Sequence, residues 1–594
     1  KLSGDENLIF STINNGIIDS VMVDNNLSAG TSKGRSPDGT ENWCYFDTPT
    51  PFEYNGDSWC YIGITPPPEL LPSGWYDVVD SPLEINIYNE IETDIYYTTN
   101  GDVPTNNDQN YTTPLSFNET TTLSVKAFGD ENWLPSKLVD RTYIINEDNY
   151  ELPVFSIFTD SLNLWDWNEG IYVSGPNANW GYPFYGSNFW EPWSKWSRLE
   201  YFDGNKIKRA EEEFDLEIHG GWSRAEAQKS FRLDFKSNYT GRLEWPLMPQ
   251  KGFIDDFNNI NLRNGGQHTY SDKIQDAIIS RISQETHADN MAYEPCILYL
   301  NGEYWGVYGI REKIDEHYVE DNYGYDDSEV DLLNSWNTLA GSDAHFYESY
   351  NTLMEIDAND NIFYDAASFR FDLNNYKDYF IIQTYIQNMD WMGIAWGLNN
   401  TKLWRPQTPD GRWRYVIYDT DGAWGYFGQW AGENYLSYAR NADNNHAEIF
   451  DKLLQNDQFK CEFTNRYTDL INTIFQTDNV SALGLAIQTQ MFDAMPAHID
   501  RWADIMNGEP WWNNSPTSTQ TWASLFGSIL YYNYERIDWA RENIMEEFGL
   551  SGQYEVLLNI EPSLSGTINI STITPDEYPW DGVYFNVCPI QINA

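Results

Sequence analysis

The period of the apolar pattern changes three times along this chain, and that order limits the folds open to it. Up to about residue 147 apolar and polar positions alternate between Asn, Gly and Asp turns, as in Leu8-Ile9-Phe10, Ile17-Ile18 and Val21-Met22-Val23, which is the period of half-buried strands. From Leu152 onward strand-like runs such as Ser230 to Phe235 and Cys296 to Leu300 mix with helical spacing at Ile274, Ala277, Ile278, Arg281 and Ile282. From about residue 447 to 548 the spacing is helical, with Ile449-Phe450 followed by Leu453-Leu454, and Ala540 by Ile544 and Phe548. After Gly549 alternation returns in Val556-Leu557-Leu558 and Ile568-Asn569-Ile570. A chain of 594 residues ordered β, then α+β, then α is expected to hold several domains, one of them large.

Composition narrows the partners. With 35 Lys and Arg against 90 Asp and Glu, the formal charge is −55, which repels phosphate backbones and anionic lipid and so argues against nucleic acid as a partner. The acidity is spread along the chain, as on a solvated surface in a salty or Ca²⁺-rich medium, where a structural Ca²⁺ has a place. An aromatic share of 16%, with 26 Trp, argues for a packed core and against disorder. No run of 18 apolar residues is present, so no membrane-spanning helix is expected. Lys1 opens the chain without Met or an apolar leader, so a start after processing or trimming is expected, and secretion is an indirect inference. Five cysteines leave at least one unpaired; Cys44 and Cys60 are near enough in sequence to bridge, with two buried thiols as the alternative.

The segments that could carry chemistry are four. Asn388-Met389-Asp390-Trp391, Asn399-Asn400 and Tyr418-Asp419-Thr420-Asp421-Gly422 supply a carboxylate, an amide and a second acidic pair in order. Phosphoryl transfer needs those types: one carboxylate to orient a hydroxyl, and oxygen ligands to hold a hard cation against phosphates. Upstream, His219-Gly220-Gly221-Trp222-Ser223-Arg224 precedes Lys229, a glycine turn with cations suited to phosphate. The same segment also fits a hairpin with a surface Lys. Leu262-Arg263-Asn264 with Asp272, and Gly309-Ile310-Arg311-Glu312-Lys313 after the Asn301-Gly302 turn, complete the set. Glu312 could pair with Lys229 or open a solvated helix.

Taken in order, these segments, together with Tyr299-Leu-Asn-Gly-Glu-Tyr-Trp-Gly-Val-Tyr308 and Asp419-Thr-Asp-Gly-Ala-Trp-Gly425, resemble the CotH family of spore-coat atypical protein kinases. Tyr418 stands where the family's last motif has Trp. The resemblance implies a remodelled kinase-like fold over residues 150–548, with a helical lobe from about residue 440, that transfers the ATP γ-phosphate to Ser or Thr of secreted, surface or coat proteins. It makes Asp390 the catalytic aspartate, Asp419 the main Mg²⁺ or Mn²⁺ ligand with Asn400 and Asp421 as helpers, and Lys229 an ATP phosphate contact. Glu312 becomes the expected partner of Lys229, and Arg224 and Arg263 further phosphate or site-holding groups. Lys229, Asp390, Asn400 and Asp419 are expected to line one cleft. The alternative is a non-catalytic surface adhesin or scaffold that uses the same domain to bind protein or glycan.

Residues 1–60 resemble part of a lamin-tail sandwich, and residues 81–147 resemble the Ig-like module at the end of chitobiases, joined by a Pro-rich linker over 61–80. Residues 550–594 are expected to begin a further β-module. The segment from Trp180 to Trp196 is unusually aromatic, and is expected to pack in a core or interface, or else to act as a lid or a platform for glycan stacking.

Overall fold

The computed structural model describes residues 7–594 except 14–15, 25–26, 28–29, 56–57, 78–80, 148–150, 236–240, 507–514, 563–564 and 587. The end of the expected linker and the expected start of the central domain at residue 150 lie outside the described residues. The chain forms two compact units, Lys1–Ala225 with Lys229–Trp245 and Cys296–Val307, and Glu226–Gln228 with Pro246–Pro295 and Tyr308–Ala594.

The first unit is rich in strands. Asn7–Ser11 pairs with Ile17–Met22, and Ser32–Arg35 with Trp43–Phe46, both antiparallel. Cys44 is bridged to Cys60, which closes this aromatic loop and resolves the alternative left open by the sequence. The next module is a five-stranded sheet in the order Gly74–Tyr76, Val139–Ile145, Thr121–Phe128, Asp94–Thr98, Gln109–Asn110. Its inward positions Ile95, Leu123, Val125, Ala127 and Tyr143 form one apolar core with Ile85 and Ile87. Asn100-Gly101 follows the strand Asp94–Thr98 but does not close a two-residue hairpin, since the partner strand begins only at Gln109. Beyond it, Val154–Phe158 lies between Ser194–Phe202, antiparallel, and residues 297–300, parallel. Ser194–Phe202 continues to Lys208–His219 and then to Ser230–Asp234.

Asn301-Gly302 does form the tight turn its sequence predicts, between Tyr293–Leu300 and Glu303–Glu312. Both residues have positive φ, 51° and 81°, the backbone that a two-residue turn matching strand twist demands and that Asn-Gly accepts at least cost.

The second unit is mixed and then helical. Its sheet has the order Asp289–Asn290, Arg414–Ile417, Lys402–Pro406, Val330–Asn334, Asn337–Ala340. Helix Leu373–Tyr385, capped by Asp372, is buried at all positions but Asn374. The lobe that follows contains Asn445–Gln455, Asp457–Ile471, Thr477–Met491, Met495–Met506 and Thr519–Phe548. Local chemistry sets their ends: Asn444 accepts from His446 and Ala447 N–H, Ser518 and Thr521 form a capping box, and Gly549 ends the last helix in the left-handed region at φ 62°. Residues from Gln553 onward form two short ladders, Gln553–Leu558 with Trp580–Phe585 and Asn569–Ile570 with Ile592–Asn593. They dock on helix Asp457–Ile471, where Asp469 accepts from Thr572 and Tyr584, and Cys461 is bridged to Cys588. That bridge spans 127 residues, and the spacing of the cysteines did not signal it. Cys296 is buried and takes part in neither bridge. No helix among the described residues is long and apolar enough to cross a membrane, and the two bridges are compatible with an oxidising, extracellular setting.

Candidate active site

Strand register explains how residues far apart in sequence meet. Lys402 pairs with Val416 in the antiparallel ladder, so continuing the two strands outward sets Asn400 beside the segment that holds Asp419. The loop after helix Leu373–Tyr385 delivers Asp390 to the same place. Met389 N–H donates to Gly422 O at 3.2 Å, and Asn388 Nδ2 to Asp419 O at 3.4 Å. Asn388 is fully buried, and its Oδ1 also accepts from Asp390 N–H. It ties the two acidic segments together. Gln387, Met392, Asn400, Asp419 and Trp424 all have positive φ, between 45° and 55°, a concentration of costly backbone of the kind that collects at functional sites.

Asp390 is held by two amides. Asn399 Nδ2 donates to its Oδ1 at 2.9 Å, and Asn400 Nδ2 to its Oδ2 at 3.1 Å and its carbonyl at 2.9 Å. Burial raises the pKa of Asp390 above the usual carboxylate value, Asn399 and Asn400 oppose that, and the charge of Asp419 adds to it. A carboxylate oriented in this way can accept a hydroxyl proton.

Asp419 and Asp421 share Arg263, whose Nη2 lies 2.7 Å from Asp419 Oδ1 and 2.5 Å from Asp421 Oδ1. Burial opposes the guanidinium charge, and Asp421, Asp419 and Asp276 together outweigh it. Burial and the neighbouring charges of Asp419 and Asp276 push Asp421 upward against the pull of Arg263. The two aspartates differ in access. The Asp419 side chain is 38% exposed and that of Asp421 only 6%, and Asp421 Oδ2 already accepts from Gln267 N–H at 2.8 Å. Asn400 spends its Nδ2 on Asp390, so its Oδ1 is the atom it could offer to a cation. Oxygen donors from Asp419 and Asn400 fit a hard cation such as Mg²⁺ or Mn²⁺.

Several supports escaped the sequence reading. After strand Asn259–Arg263 the chain turns through Gly265 and Gly266, at φ 118° and 58°, and a Cβ on Gly266 would land on Asp421 Oδ2. The only signal for this was the Gly-Gly pair after Arg263-Asn264. His268 Nε2 and Gln275 Nε2 both hold the Asp421 carbonyl, at 3.1 and 3.0 Å, and His268 Nδ1 meets Asp272 at 2.6 Å. Asp276 accepts from Thr420 at 2.7 Å and pairs with Arg311.

Glu312, Lys229 and Arg224 were also expected at the site. Glu312 is engaged within the second unit by Lys251 at 2.7 Å, Asn322 at 2.7 Å and Ala292 N–H at 2.7 Å. Lys229 and Arg224 belong to the first unit. Lys229 is 3% exposed, donates to Arg224 O at 2.6 Å, and sits 3.8 Å over the Phe189 ring and 5.3 Å over Tyr172, where ring quadrupoles stabilise its charge. Arg224 donates to the carbonyls of Gly220 and Phe189. In the aromatic segment Phe189 is buried, while Trp180 and Tyr185 are exposed, so only part of it serves as core.

Compared with known families, residues 216–525 match the model described as CotH kinase protein, and residues 75–135 the model described as Chitobiase/beta-hexosaminidase C-terminal domain. Residues 1–60 lie outside both matches. A comparison with curated proteins gives no match.

Proposed function

Because this chain belongs to the CotH kinase protein family, whose model spans just over half of it, we propose that it is an active atypical kinase that moves the γ-phosphate of ATP to Ser or Thr hydroxyls of extracellular or coat proteins. The observation that carries this reading is the joining of Asp390, Asn400 and Asp419 through the hydrogen bonds that the Asn399 and Asn400 side-chain amides donate to Asp390, and through the Asn388 tie to the Asp419 carbonyl. Asp390 orients the acceptor hydroxyl and takes its proton; the hydroxyl oxygen bonds to the γ-phosphorus, and the bond from that phosphorus to the bridging oxygen breaks to release ADP. Asp419 and Asn400 would hold the divalent cation, which neutralises charge on the transferred phosphate. Asp421 and Arg263 set the position of Asp419 rather than touching the reacting atoms. Lys229 and Arg224 are proposed as phosphate contacts.

Calorimetric titration with ATP and Mn²⁺ tests the site. The wild type should bind nucleotide only with metal, and Asp419→Asn should bind it at least about tenfold more weakly, a change of about 1.4 kcal/mol. A ligand at about 100 times its dissociation constant should also stabilise the wild type by about 2.7 kcal/mol. Absence of both effects in the wild type would favour the scaffold reading.

A further inference from the structure

Helix Glu316–Tyr323 and the short turn Asp327–Glu329 bring together three side chains with no role in the reading above. Single ligand atoms of His317, Glu320 and Asp327 all lie within 4.8 Å of one another. His317 Nδ1 is 3.4 Å from Asp327 Oδ2 and 3.7 Å from Glu320 Oε2. Two ligands about 2.1 Å from one tetrahedral metal lie about 3.4 Å apart, so these spacings suit a shared cation. The nitrogen that faces both carboxylates is itself enclosed. The His317 side chain is 19% exposed, yet Nδ1 is buried and makes no hydrogen bond, which is unusual for a ring nitrogen enclosed by protein. A metal held between the three side chains would bind through that nitrogen.

We propose that His317, Glu320 and Asp327 form a second metal site, separate from the Asp419 site, for a divalent transition ion of the Zn²⁺ class. One imidazole and two carboxylates disfavour Ca²⁺ and Mg²⁺, which take oxygen ligands, and a three-ligand set leaves a position open for water. Bound metal would fasten the Asp327–Glu329 turn to a helix whose Asn322 holds Glu312, so its effect is on the support of this helix and not on the transferred phosphate.

The test is titration of the full chain with Zn²⁺, comparing wild type with His317→Ala, Asp327→Asn and Asp419→Asn, with the melting temperature of each read with and without metal. The wild type and Asp419→Asn should bind one Zn²⁺ at this site and melt higher with it. His317→Ala and Asp327→Asn should bind it at least about tenfold more weakly and lose the shift. Asp327 is 43% exposed on its side chain, so its variant folds even should His317→Ala prove unstable. Unchanged Zn²⁺ affinity in Asp327→Asn, or loss of the ion only in Asp419→Asn, overturns the proposal. Failure of the kinase reading would leave it standing.

Discussion

At the residue scale the account rests on how Asp390 is held. Its raised pKa places the protonated, inactive form above the usual carboxylate range, so the transfer rate should fall as pH drops through that raised value. Asn399 donates to the charged form, which lowers the pKa. Asn399→Ala should therefore move the acid limb of the pH–rate profile to higher pH, whereas a loss of rate at unchanged pH dependence would assign Asn399 a purely structural part. Gly266→Ala should cost about 1 to 3 kcal/mol and damage the site, because its φ of 58° strains any side chain and its Cβ would displace Asp421; chemical denaturation and metal binding measure the two effects. Asp390, Asn400 and Asp419 could be singled out in the sequence because their types and order are those that phosphoryl transfer uses, and hydrogen bonds tie the segments that carry them. Asn388, Gln267, His268 and Asp276 were not legible, because each acts through a backbone group or a partner more than 30 residues away, as Asn388 does on the Asp419 carbonyl.

At the element scale helix Leu373–Tyr385 supports the loop that carries Asp390, and it docks on helix Asp457–Ile471 by a buried ion pair. Arg466 Nε and Nη2 reach Asp378 Oδ1 and Oδ2 at 2.7 and 2.8 Å, and His287 adds to the same carboxylate. Burial raises the Asp378 pKa, but the bonds from Arg466 and His287 prevail and bring it down to about 2. With the folded value below the unfolded one, the unfolded chain binds more protons between them, so stability falls as pH falls. The group should contribute about 2 kcal/mol that is full above about pH 4 and lost toward pH 2. Arg466→Ala should cost about 3 to 5 kcal/mol by leaving the buried Asp378 carboxylate without its guanidinium, held only by His287, with the difference from wild type shrinking in acid. Denaturant titration over pH 2 to 7 checks both. The lobe's amphipathic helices were readable from their apolar spacing, as at Ile449, Phe450, Leu453 and Leu454. Helix Leu373–Tyr385 was not, since burial on nearly every side erases the stripe that periodicity detects.

At the scale of the whole molecule, the order of β-modules, mixed region and helical lobe was visible in the changing period of the apolar pattern. The bridge from Cys461 to Cys588 was not, because loop closure over 127 residues depends on the docking of the terminal ladders against Asp469 and Asn472. Chain-entropy reasoning gives a loop of that length about 4 to 5 kcal/mol, so Cys588→Ser should lower the melting temperature of the second unit and leave Cys44–Cys60 intact, as calorimetry and thiol counting would show. The central claim is phosphoryl transfer by the site of Asp390, Asn400 and Asp419. Its most direct measurement is incubation with γ-labelled ATP, Mg²⁺ or Mn²⁺ and a Ser-rich acidic acceptor, beside Asp390→Ala: the account predicts label in the acceptor with wild type and a loss of at least about a hundredfold in the variant, and equal labelling by both would contradict it.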